Sequence, residues 1–170
     1  MIKYKHLTLI LMALCLIGWE ACTQERQPCL TPKTASLNIE TIHYQTDTNT
    51  VPIDTTLPGA AFIPLVGAGG TGGDYFYPPQ STFTISLSPD STICRWAFST
   101  DTLFYPFDTL TFYYQRIPTF LSNACGFADF YTLDSVHTTH AIIDSVHILN
   151  TNVTNNVNTK HLQIYIHHNF

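Results

Sequence analysis

The chain has 170 residues and carries 7 Lys and Arg against 12 Asp and Glu, a net charge of -5 at pH 7. An acidic chain is poorly suited to polyphosphate, which argues against nucleic-acid partners. Charged residues make up only 11% of the chain and aromatic residues 13%, and such a composition suits the half-buried faces of β-sheets.

The first 22 residues have the pattern of an export signal. Lys3 and Lys5 precede an apolar run over residues 7–17, and the segment closes on Ala21 and Cys22. The run is too short for a membrane-spanning helix, which needs about 20 apolar residues. We therefore predict a signal peptide over residues 1–21 and a lipid-modified Cys22 that anchors the mature chain. The alternative is a soluble secreted protein in which Cys22 is an ordinary thiol or disulfide partner.

The mature chain is predicted to begin with a tether and to continue as one domain. Residues 22–33 are polar and contain Pro28 and Pro32, whereas residues 34–170 carry period-two alternation of apolar and polar residues. Breakers such as Pro89, Pro106 and Pro118 separate the alternating segments. Eight strands are expected, over residues 36–45, 61–66, 81–87, 92–99, 109–116, 127–133, 141–149 and 159–167.

About eight short strands without a segment of helical period predict an all-β fold. The favoured architecture is an antiparallel two-sheet sandwich, immunoglobulin-like, with a barrel as the alternative.

Residues 67–72 match the dinucleotide-binding pattern G-x-G-x-x-G. That pattern binds a pyrophosphate only where a helix begins inside it, and the following residues, ending in Pro78 and Pro79, cannot start a helix. We therefore expect no cofactor. The segment is predicted to be an exposed loop whose tip carries Tyr75, Phe76 and Tyr77, which could contact a sugar or a protein partner.

The motif Cys125-Gly126-Phe127, with the strand pattern around it, resembles an uncharacterised family of small Bacteroidetes-type envelope lipoproteins, known only as a domain of unknown function. The resemblance includes the front of the mature chain, where Cys22 and Cys29 precede Thr31-Pro32. It implies a lipid anchor in the cell envelope, at the outer membrane, and supplies no catalytic residue. It also favours a disulfide between Cys29 and Cys125.

From the residues alone the disulfide pairing stays open. In an oxidising compartment Cys29, Cys94 and Cys125 allow at most one bridge inside a monomer once Cys22 is lipidated. Cys94 alternates with Trp96 and is expected to be a buried free thiol, but Cys94 with Cys125 is a competing pair.

Histidines and carboxylates offer little for catalysis. His137 and His140 with a strand neighbour could hold a metal, but they are expected to be solvated loop residues, and His161 and His167 are expected on the outward face of the last strand. Asp129, Asp134 and Asp144 are expected to be solvated. We therefore predict a noncatalytic, lipid-anchored envelope module that binds a protein or glycan partner or supports an assembly. The alternative is a secreted hydrolase or metal-binding protein.

Overall fold

The computed structural model describes residues 28–44, 52–53, 60–65, 75–77, 80–100 and 107–166. The chain divides into two units, Met1–Leu30 and Thr31–Phe170. Of the first unit, residues 28–30 are described. All the strands below belong to the second unit.

The described residues form strands and contain no helix, so the all-β prediction is confirmed. Eleven strands can be assigned in these ranges. They are β1 (Leu37–Tyr44), β2 (Pro52–Ile53), β3 (Ala60–Pro64), β4 (Tyr75–Tyr77), β5 (Thr82–Ile85), β6 (Ile93–Ser99), β7 (Asp108–Ser122), β8 (Gly126–His137), β9 (Ile143–Ile148), β10 (Asn152–Val153) and β11 (Leu162–Ile166).

The first sheet has the order β2-β1-β11-β9, and β5 also pairs with β1. β1 and β11 are parallel, with Ile39 opposite Leu162 and Thr41 opposite Ile164. The other pairs of this sheet are antiparallel. The expectation of a purely antiparallel sandwich is therefore wrong at this pair, because two strands that are distant in sequence need no tight turn between them.

The second sheet has the order β10-β8-β7-β6-β3-β4, and its pairs are all antiparallel. One hydrophobic core joins the two sheets. The ring of Phe62 on β3 lies 5.4 Å from the ring of Phe83 on β5, so side chains of the two sheets are in direct contact. This confirms a two-sheet sandwich.

The predicted inward faces are those that form the core. Alternate residues of β6, β7 and β11 are almost fully buried, as the period-two pattern indicates: Cys94, Trp96, Phe98, Leu110, Phe112, Tyr114, Leu162, Ile164 and Ile166.

Two strands are longer than predicted and form a projecting hairpin. β6 pairs with β7 only as far as Tyr113, with one further bond from the Tyr114 amide to the Thr92 carbonyl at 2.9 Å. β7 and β8 continue beyond that point, where, among the described strands, they pair only with each other, except where β10 contacts Tyr131 and Thr132. We call residues 115–130 the β7–β8 ribbon.

Pro118 lies inside β7, although it was expected to end a strand. The Tyr114 amide points toward β6, and backbone groups alternate sides along a strand, so position 118 also presents its nitrogen to that side. Among the described residues no strand pairs with that side of the ribbon. Pro118 therefore gives up no ladder hydrogen bond there.

Residues Tyr75–Tyr77 form β4 rather than the tip of a loop. β4 pairs antiparallel with β3, with Phe76 opposite Ala61, and lies at one end of the strand order of the second sheet. The prediction of a loop was wrong because a three-residue strand is too short to show an alternating pattern.

Candidate functional site

The β7–β8 ribbon carries the largest exposed aromatic pair among the described residues. Phe120 is 54% exposed and Phe127 is 67% exposed, and they lie opposite each other in the register with ring centroids 5.4 Å apart. Ile117 of the same ribbon is 46% exposed. Exposed large apolar side chains that lie side by side are typical of contact surfaces.

One face of the ribbon continues the buried face of the sandwich. Tyr114 pairs with Leu133, and the same face then carries the pairs Arg116 with Tyr131 and Phe120 with Phe127. A register shift at Tyr113 and Tyr114 precedes this stretch. The aromatic pair is thus an extension of the core that the other sheet does not cover.

The ribbon is held by polar contacts at its middle and at its base. The Arg116 guanidinium donates to the Asp129 carboxylate at 2.7 Å across the strands. Both side chains are partly exposed, so this pair contributes little free energy of folding. At the base, the Tyr114 hydroxyl donates to the Ser88 carbonyl at 2.9 Å and accepts from the Ser88 amide at 3.0 Å.

The turn of the ribbon has a defined geometry. The Cys125 amide donates to the Ser122 hydroxyl at 3.0 Å, and Gly126 has a φ of 71°. This φ lies in the left-handed region that glycine adopts without strain. The Cys-Gly-Phe motif therefore closes the turn: a buried Cys, a Gly that reverses the chain and an exposed Phe.

Cys125 is disulfide-bonded to Cys29. This is the pairing that the resemblance favoured, and the competing pair of Cys94 with Cys125 is wrong. Cys94 is a buried free thiol, as predicted. Burial raises the pKa of this thiol to about 11, so the thiol stays protonated and unreactive at neutral pH.

Beside the ribbon, an open cleft of about 320 Å³ lies between the start of the second unit and β8. Lys33, Ala35, Leu87, Phe127 and Tyr131 are among the residues that line it. The Tyr131 hydroxyl contacts the Leu87 carbonyl at 3.4 Å. The cleft thus places the ribbon and the segment that leads into β1 at the same end of the sandwich.

Asp108 is a fully buried carboxylate that the sequence pattern did not single out as a site residue. It accepts hydrogen bonds from the Thr139 hydroxyl and from the amides of Ala141, Ile142 and Ile143, at 2.6 to 2.7 Å. Burial alone would raise the pKa of Asp108, but these four bonds outweigh it and lower the pKa. The carboxylate therefore holds the β8–β9 connection.

Glu40 and His161 also have structural roles. Burial would raise the pKa of Glu40, but hydrogen bonds from Lys160 and Gln163 lower it. His161 is fully buried, so its prediction as an outward residue is wrong. Its Nδ1 accepts from the Asn38 amide at 3.0 Å, and burial lowers the pKa of the imidazole. It precedes β11 and lies outside the alternation that the prediction extended to it.

The histidines weighed as metal ligands are separate. His137 ends β8, where its ring lies 5.5 Å from that of Tyr113, and His140 Nδ1 lies 3.1 Å from the Ile143 carbonyl. Within the ranges that the structure covers, no three His, Cys, Asp or Glu side chains converge to hold a metal. Cys22, residues 67–72 and His167 lie outside the described residues.

The model of a protein family of unknown function, DUF6452, matches residues 69–166 of the chain. The chain belongs to this family. The match includes the whole β7–β8 ribbon, whereas β1 and Cys29 lie before it. The resemblance is thus confirmed as far as a family of unknown function.

No curated protein and no solved structure matches the chain. In the part of the chain that the structure describes, no helix has the length and apolar character to cross a membrane.

Proposed function

We propose that this chain is an exported, lipid-anchored cell-envelope protein that acts as a noncatalytic binding or structural module. The observation that carries the proposal is the disulfide between Cys29 and Cys125 in a chain that starts with the pattern of an export signal. Structural disulfides form in oxidising compartments outside the cytoplasm. The bond also adds a second covalent link between the segment after Cys22 and the folded domain.

The buried polar groups support a structural role for the domain. Asp108 and Glu40 use their carboxylate oxygens, and His161 uses its Nδ1, on neighbouring backbone or side-chain groups. Asp129 contacts Arg116, and Asp134 lies 3.4 Å from the Gln115 amide nitrogen. Each of these carboxylates therefore has a separate partner. A general acid and base need two groups that share a site.

The anchor is tested on protein purified from a host with lipoprotein-processing enzymes. We expect mature chains that begin at Cys22 with acyl groups on that residue, and that leave the membrane only in detergent. Cys22→Ala is the control and should abolish acylation. A wild-type N-terminus without acyl groups would contradict the anchor.

For the binding role, β4 is the proposed contact with a protein or glycan partner at the outer membrane, on either face. An edge strand can accept a further strand or a stacked ligand. A photo-crosslinker at position 76 in intact cells should yield a defined adduct. If a crosslinker at the exposed position 157 gave the same adduct, β4 would have no special part in binding.

A further inference from the structure

The exposed apolar side chains of the sandwich gather at one end. We call the end where β1 and β11 begin, and where the β7–β8 ribbon projects, the tether end. Within the described residues of the second unit, only Phe107 among the exposed large hydrophobic residues lies at the opposite end. The others are Ile93, Ile117, Phe120, Phe127, Leu149 and Val157.

Hydrogen bonds to the starts of β1 and β11 show where Leu149 and Val157 lie in the fold. The Leu149 amide donates to the His161 carbonyl at 2.8 Å, at the end of β9 and the start of β11. The Val157 carbonyl accepts from the Asn38 side chain at 2.9 Å, at the start of β1. Ile93 begins β6 at the base of the ribbon, so all six residues lie at one end of the fold.

The charge of this end is compatible with a lipid surface. Residues 117–128, which form the outer part of the ribbon, include no Asp, Glu, Lys or Arg. Lys33, Lys160 and Arg116 at this end accompany Asp90, Asp129 and Asp134, and Lys160 is paired with Glu40. The part of the tether end that would enter a lipid surface, the outer ribbon, therefore brings no carboxylate toward anionic headgroups.

The covalent connection fixes which end is near the anchor. From Cys22 to Cys29 the chain can span at most about 24 Å. The disulfide adds about 6 Å between Cα atoms, so Cys125 stays within roughly 30 Å of an acylated Cys22. The 15 residues of β7 extend roughly 50 Å from this turn toward Asp108, so an anchor that stays within roughly 30 Å of the turn cannot reach the opposite end.

We infer that the tether end docks on the lipid bilayer, with Phe120 and Phe127 of the ribbon inserted at the headgroup level. This inference rests on the proposed lipid anchor. The anchor makes the bilayer a partner at high effective concentration, so insertion of a few side chains suffices to orient the domain. The sandwich then presents its opposite end to the aqueous compartment.

The test uses the mature lipidated chain in vesicles of phosphatidylcholine and phosphatidylglycerol, prepared with or without bromine on the acyl chains. Phe127→Trp places an indole on the ribbon, and Phe107→Trp is the matched control at the other end of β7. Trp96 is fully buried, and the unsubstituted protein supplies its background emission. Flotation of each sample with the vesicles reports the anchor separately.

In floated protein, brominated lipid should remove roughly half of the emission of the Phe127→Trp indole and leave that of Phe107→Trp unchanged. Equal access of an aqueous quencher to both indoles in floated protein would overturn the docking inference and leave the anchor intact. Shielding of Phe127→Trp without quenching by brominated lipid would also overturn it, because a protein then covers the ribbon. A shift of the Phe127→Trp emission that grows with the protein-to-lipid ratio would also overturn the inference, because the ribbon would then contact a second copy of this chain. Protein that does not float, and that carries no acyl group, would instead refute the proposed anchor.

Discussion

Asp108 shows how one buried carboxylate organises a connection between strands. Its two oxygens accept four hydrogen bonds, three of them from consecutive backbone amides. Buried amides without acceptors are costly, so a connection with this many inward amides needs an anion or its equivalent. Asp108 supplies that acceptor from the first residue of β7.

Replacing Asp108 by Asn should lower the free energy of unfolding by about 2 to 4 kcal/mol at pH 7, because the new NH2 group faces backbone donors. Denaturant unfolding measures this loss. Asp134→Asn is the matched control, since Asp134 is exposed and its change should stay within about 0.5 kcal/mol.

The stability difference between the wild type and Asp108→Asn has a defined pH dependence. The pKa of Asp108 is lowered in the folded state, so its contribution is complete above the unfolded value, 3.8, and is lost as the pH falls through the folded value. The difference between wild type and Asp108→Asn should therefore shrink in acid. A difference that is constant from pH 7 to pH 2 would show that the carboxylate is not ionised in the fold.

Residue-scale roles were the least predictable from sequence. Asp108 stands just before the predicted strand of residues 109–116, as many solvated Asp residues do, and its partners are about 30 positions away. His161 was misplaced because the predicted strand began at residue 159, three residues before β11. Both errors concern contacts between segments distant in the chain, which local periodicity does not report.

At the scale of elements, the ribbon depends on Gly126. Its φ of 71° is positive, and a Cβ built on it would meet no atom within 4 Å. The cost of Gly126→Ala is therefore conformational rather than steric, about 1 to 2 kcal/mol.

In thermal unfolding, Gly126→Ala should have a lower melting temperature than Gly126→Asn, since Asn tolerates the left-handed region better than Ala. Equal stability of the two variants would indicate that the turn adopts another conformation.

The positions of the main strands were predictable because their alternation is regular, as in β6 and β7, where every second residue is buried. The length of β7 was not predictable, since a proline such as Pro118 normally ends a strand. Proline is tolerated where its nitrogen faces no partner strand, and among the described strands none pairs with that side of the ribbon. β2 and β10 have two residues each, too few for any pattern. One feature of the sequence indicates the exposed aromatic pair, namely the uncharged stretch of residues 117–128. An alternating pattern of apolar and polar residues does not reveal it.

At the scale of the whole molecule, the disulfide closes a loop of roughly 100 residues, for which the loss of chain entropy in the unfolded state is about 4 to 5 kcal/mol. We expect Cys29→Ala with Cys125→Ala to lower the free energy of unfolding by about 2 to 5 kcal/mol, measured by denaturant unfolding.

A reductant should lower the stability of the wild type by a similar amount and leave that of the double variant unchanged. A reductant effect on the double variant would mean that the loss does not come from this bond.

The parallel pairing of β1 with β11 has a consequence for assembly. β11 lies between β1 and β9, so the strand that joins the two parts of the first sheet is made more than 100 residues after β1. Until residues 162–166 emerge, β1 and β9 have no common neighbour, and the Leu162, Ile164 and Ile166 side chains are missing from the interior. A nascent chain that has not yet reached this point is expected to stay loosely collapsed and open to chaperones.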